Sequence, residues 1–184
     1  MELATKSADP KLPEPWLRGT LPEVRAVLRA VLHALHLAGE DMNRFCAGLT
    51  TEELHTRPFG IPSVAFHIRH IARSIDRLLT YAEGRPLSQQ QTAALKREPD
   101  EDSPKEDLLS ELERAFTEGE ARIRKLDVAT LEDVRTVGRK RLPTTVAGLL
   151  IHVADHTQRH VGQAVTTSRI VLAQRSDRGF DARA

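Results

Sequence analysis

Four stretches of the chain repeat apolar residues at helical spacing, and no run alternates apolar and polar residues as a half-buried strand does. The first stripe is Val24, Val27, Leu28, Val31, Leu35, Ala38 and Met42. The second is Val64, His67, Ile68, Ile71, Ile75, Leu78 and Leu79. Leu108, Leu109, Leu112, Phe116, Ile123 and Leu126 form the third, and Val146, Leu149, Leu150, Val153, Val161 and Val165 the fourth. Aromatic residues are only 4% of the chain, while Leu, Ala, Arg and Glu are abundant, and such straight-chain residues lose little rotamer freedom in a helix. Four amphipathic helices can bury their stripes against one another, so the expected fold class is all-α, a four-helix bundle with short extra helices in the connectors.

Capping residues and breakers set the expected boundaries. Pro22 and Glu23 place the first helix start just after Thr20, and Gly48 ends it after Ala47. Thr50 with Glu53 has capping-box spacing and opens a short turn before Pro58, Gly60 and Pro62. Ser63 caps a second helix over 63–83, with Gly84 at its C-terminus. Ser88 with Gln91 opens a short helix to about Lys96, and Glu98 to Ser103 reads as a loop. Ser103, Pro104 and Glu106 start a third helix over 104–126. A short helical segment, Thr130 to Val134, precedes a basic run, and Thr144 or Thr145 caps the last helix, which ends between Thr167 and Gln174. The domain reading is an irregular lead-in over 1–20, one bundle over 21–174 and a loose tail over 175–184. The three long connectors do not fix which helices run up and which down.

With 184 residues the chain can bury one good core. Its net charge of +1 supplies no overall field for nucleic acid or an anionic membrane, and neither is expected as a partner. Cys46 is the single cysteine, which excludes an intramolecular disulfide and a thiolate-rich metal site and suits a cytoplasmic setting; it reads as a small core residue. The lead-in lacks the apolar core of a signal peptide, and no apolar run approaches a membrane span. There is no Gly-rich phosphate loop, no G-x-S-x-G and no convincing carboxylate pair, which argues against a nucleotide enzyme, serine hydrolase or glycosidase.

Seven of the eight histidines fall in three clusters: His33 and His36; His67 and His70; His152, His156 and His160. His156 and His160 share one helix face about 6 Å apart along the axis, and they lie on the apolar stripe, so the pair points into the bundle as a chelate. His152 stands roughly 12 Å from His160 and cannot share an ion with it. His70 lies roughly 10 Å from the start of its helix, and the middle of the His156/His160 pair roughly 20 Å from the start of the last one. In antiparallel helices of about 30 Å these heights coincide, whereas a parallel pair misses by about two turns. Spacing alone leaves two readings open: a three-histidine divalent metal site with open positions, or hydrogen-bonded core histidines. His33 and His36 read as surface residues and His55 as a loop residue.

The segment His152-Val-Ala-Asp-His156-Thr-Gln-Arg-His160-Val-Gly162-Gln163 resembles the last-helix motif H-x3-H-x-G-Q of the DinB-like proteins, and His67-Ile-Arg-His70-Ile-Ala resembles their second-helix motif. The likeness extends from the first helix through Val171. It implies an up-down-down-up bundle holding a divalent metal, zinc or nickel, through His70, His156 and His160, with His67 as the alternative to His70. It further implies a metal-dependent S-transferase or isomerase that uses a low-molecular-weight thiol on a small-molecule substrate, and a homodimer. A metal-dependent hydrolase and a non-enzymatic bundle are the competing readings. Gln163 is placed to touch a ligand or metal-bound water. Arg139 and Arg141, beside the last helix N-terminus, could take an anionic group. Asp155 and Asp76 are candidates to orient an imidazole.

Overall fold

The computed structural model describes residues 12–46, 48–98 and 102–181, with side chains described as far as Arg175. The expected helix end at Ala47, the loop positions 99–101 and the outer parts of the lead-in and tail lie outside these residues. Helix α1 spans Ala26–Cys46, four residues after Pro22, which sits instead in a turn closed by the Val24 N–H donating to the Leu21 carbonyl at 3.0 Å. Helix α2 (Thr51–His55) forms on the Thr50/Glu53 capping box, and α3 (Val64–Ala82) starts where Ser63 Oγ accepts the Phe66 N–H. Gly84 adopts φ +75° just beyond α3, the left-handed conformation a glycine takes at little cost. The Ser88/Gln91 capping box opens α4 (Gln89–Arg97). Helix α5 (Lys105–Arg124) is not capped by Ser103: the N-cap is Pro104, and the Ser103 carbonyl accepts a hydrogen bond from His55 Nε2 at 2.9 Å, tying the end of α2 to this loop.

Residues 134–145 correct the expectation of helix and loop. They form a hairpin of β1 (Val134–Val137) and β2 (Leu142–Thr145), with Val134 opposite Thr145 and Val137 opposite Leu142. The turn of 138–141 takes Gly138 and Arg141 through positive φ. Each strand is four residues long, too short for its alternation to stand out against the surrounding helical pattern. Thr145 then caps α6 (Val146–Asp181), its Oγ1 accepting the Gly148 N–H at 3.1 Å. This helix outlasts the expected end, and the residues read as a loose tail continue it to Asp181. Arg175 is held by a two-pronged pair with Glu53 at 2.6 Å.

Cross-helix contacts give the topology. Helix α6 runs parallel to α1, since Gln158 reaches the Ala34 carbonyl and Ser168 the Phe45 carbonyl. It runs antiparallel to α3, because His67 meets His160 while His70 meets His156. Helix α5 is parallel to α3 (Arg73 to Glu111, Arg122 to Glu83) and antiparallel to α1, where His36 meets Glu120 and Gly39 packs on Phe116. The order is up-down-down-up, with α1 and α3 on one diagonal and α5 and α6 on the other. Leu32, Leu35, Met42, Ile68, Ile71, Ile75, Leu108, Ile123, Leu150 and Val161 fill the space between them. Gly119 lets α5 approach α3 closely: a Cβ there would stand 2.9 Å from Ile75 Cγ2.

Two surface expectations on α1 fail. His33 is buried, its Nε2 3.1 Å from Thr20 Oγ1, because the lead-in around Pro15–Leu17 packs over the face of α1 that a four-stripe count leaves bare. His36 is half-buried on Glu120 at 2.8 Å. Val27, placed on the inward stripe by spacing, is exposed.

Candidate metal centre

Ser63 places His67 and His70 in the first two turns of α3, and the cap at Thr145 places His156 and His160 in the third and fourth turns of α6. Antiparallel packing brings the two pairs to one height. His70 Nε2 stands 3.2 Å from His156 Nε2. The rings of His70, His156 and His160 lie 4.4 to 4.9 Å apart between centroids. One nitrogen from each of the three can be chosen so that all lie within 4.8 Å of one another, a group that could hold a metal ion. His67 is outside that group. It stands against His160, the two Nδ1 atoms 3.0 Å apart, so that one ring donates to the other.

The donor set fits a divalent cation. Nitrogens bound to one tetrahedral ion at 2.0–2.1 Å are about 3.3 Å apart, close to the separation of His70 Nε2 and His156 Nε2. Burial pushes His156 down to about 4, with His160 and His70 adding to the effect, and pushes His160 down to about 4, with His70 and Arg159 adding. These rings are therefore neutral at pH 7 and offer lone pairs. His67 is likewise lowered to about 4, by burial first and then by His160 and His70. The buried Nδ1 atoms of His70 and His156 lack a hydrogen-bond partner. Phe66 stacks on His70 at 5.4 Å with rings 15° from parallel, which limits rotation of the imidazole.

A family model described as the DinB superfamily matches residues 34–164, from α1 to beyond the His156/His160 pair. The chain belongs to the DinB superfamily. Its bundle is similar to the crystal structure of a conserved protein from Enterococcus faecalis, with a TM-score of 0.67, 22% identity, and coverage of 81% of this chain and 99% of that one. No curated protein matches it.

Around this DinB bundle's histidines the other sequence candidates disperse. Gln163 is exposed on α6. Arg139 and Arg141 are exposed on the hairpin turn, where with Arg135, Tyr81, Leu95 and Lys96 they line a cleft of about 1040 Å³. Arg135 anchors this end through the Ala82 carbonyl, and Ala82 lies ~18 Å along α3 from His70, so the cations do not serve the histidine cluster. Asp155 is exposed and paired with Arg159, and Asp76 with Arg122. Neither orients one of the three rings. His152 is exposed, with Asp155 at 3.8 Å.

Sequence reasoning missed Glu98. This residue, read as loop, is 2% exposed; its Oε2 lies 3.3 Å from His70 Nδ1, and its Oε1 3.4 Å from Arg77. Its carbonyl accepts from Arg69, which is 1% exposed. The signal was present on the other side of the contact: Arg69, Arg73 and Arg77 recur every four residues along α3, and such a stripe beside a buried face demands carboxylates from another element.

Proposed function

We propose that this chain is a metal-dependent enzyme of the thiol S-transferase or isomerase class, with His70, His156 and His160 as the ligands of a divalent ion. The observation that carries the reading is the convergence of three imidazoles, one from α3 and two from α6, with no fourth residue in the group among the described residues. Three protein ligands are the pattern of sites that keep a position for water or substrate, whereas structural zinc sites close with four. A divalent ion held by these three residues would supply Lewis acidity, which lowers the pKa of a thiol so that thiolate is available at neutral pH.

The protein's own residues supply the rest. His67 fixes the ring of His160 through the Nδ1 contact, Phe66 stacks on His70, and the depressed proton affinity of His156 and His160 keeps both as ligands through the neutral range. The tetrapeptide spacing on α6 holds two ligands rigidly on one helix, leaving α3 to complete the set.

Cobalt substitution tests the reading. The visible spectrum of a cobalt-loaded sample should change on titration with small thiols, and the loaded protein should consume thiol in the presence of a suitable electrophile. A spectrum indifferent to thiols, together with no thiol consumption across a panel of bacterial thiols and electrophiles, would count against it.

A further inference from the structure

The α3 and α4 side of the centre holds a buried charge network that ligand chemistry alone leaves unexplained. Glu98, just past α4, is shut away from water with Arg77 against one carboxylate oxygen. Its other oxygen lies 3.3 Å from His70 Nδ1, a buried nitrogen that meets no hydrogen-bond partner in good geometry. Arg77 also donates to Ser74 Oγ at 3.0 Å, and Arg69 donates to the Glu98 carbonyl at 3.0 Å. Burying a carboxylate in such a place is costly unless a charge and donors meet it; here Arg77 faces the carboxylate, while Arg69 satisfies the backbone carbonyl of the same residue.

We propose that Glu98 is a positioning residue for the metal centre: it takes the Nδ1 proton of His70 in a hydrogen bond, fixes the tautomer that presents Nε2 to the ion, and makes His70 a stronger donor. Arg77 holds the carboxylate aimed, and Arg69 holds the backbone of Glu98 in place. Through Glu98 the end of α4 is tied to the ligand that α3 contributes, so metal occupancy and the seating of α4 are coupled. The proposal rests on the three-histidine reading.

The test compares wild type with Glu98→Gln and Glu98→Ala for zinc affinity, by competition with a chromophoric chelator, and for the cobalt spectrum. Glu98→Gln keeps the shape of the side chain and so guards against a variant that fails to fold. Zinc affinity should fall about 10- to 100-fold in Glu98→Ala and by less in Glu98→Gln, the loss expected when a metal-bound imidazole loses its carboxylate. The cobalt bands should shift in both. In the zinc-loaded wild type, NMR of the imidazole nitrogens should report His70 protonated at Nδ1, and that signal should move in Glu98→Gln. Affinities within twofold of wild type with unshifted cobalt bands in a folded Glu98→Gln would overturn the proposal and leave the metal site standing. Wild-type protein that takes up neither zinc nor cobalt would overturn both.

Discussion

Cys46 has no exposed surface at the end of α1, and burial, aided by the negative charge of Asp41, pushes its thiol up to about 12. A thiol so far from ionising is a poor nucleophile, so Cys46 should resist Ellman's reagent at about pH 8 in the folded protein and react at once in guanidinium. Rapid modification of the native chain would contradict its place in the core. The histidines of the cluster, His67 buried and His156 and His160 half-buried, make the opposite kind of statement. His67, His156 and His160 are neutral in the fold down to about 4 but take up protons near 6.5 once unfolded. The unfolded chain therefore binds more protons between those values, and the stability of the metal-free bundle should be intact above about pH 6.5 and fall steadily as the pH drops toward 4. Denaturant midpoints taken from pH 7 downward measure this, and a flat profile to pH 5 would show that the rings are not buried together. At this scale the sequence was read well where a residue's own helix determines its surroundings, as for Cys46, His156 and His160. His33 and Glu98 were misread because what buries them comes from distant segments, the lead-in for one and the α3 arginines for the other.

Helices α3 and α5 meet at Gly119, where a side chain would press on Ile75. Gly119→Val should cost about 1–3 kcal/mol of unfolding free energy through overpacking, despite glycine's own poor helix propensity. Chemical denaturation of the variant checks this, and unchanged stability would mean that the helices can separate freely. The long helices and their caps at Thr50, Ser63 and Ser88 were apparent from the residues, because capping chemistry is local and the apolar period of 3.6 builds up over many residues. The hairpin was not, since its pairing joins residues across a turn and each strand spans only two alternations. The end of α6 escaped for a related reason: residues 172–181 carry little apolar pattern, and helix there continues from the packed turns before it and is anchored by the Arg175–Glu53 pair.

Across the molecule, the up-down-down-up order turns two sequence motifs some 90 residues apart into one site, with His70 facing His156 and His67 facing His160. Equal heights of the two histidine pairs by helical rise require antiparallel α3 and α6, and the bundle has them. Loop lengths could not supply that order, since connectors of this size permit either direction. The measurement that bears most directly on the account is metal content by mass spectrometry of tag-free protein, with His70→Ala and His156→Ala beside the wild type. The account predicts about one divalent ion per wild-type chain and its loss in both variants, with folding retained by circular dichroism. A wild type that carries no metal and takes up neither zinc nor nickel would contradict it, leaving the histidines as packing residues of a helical bundle.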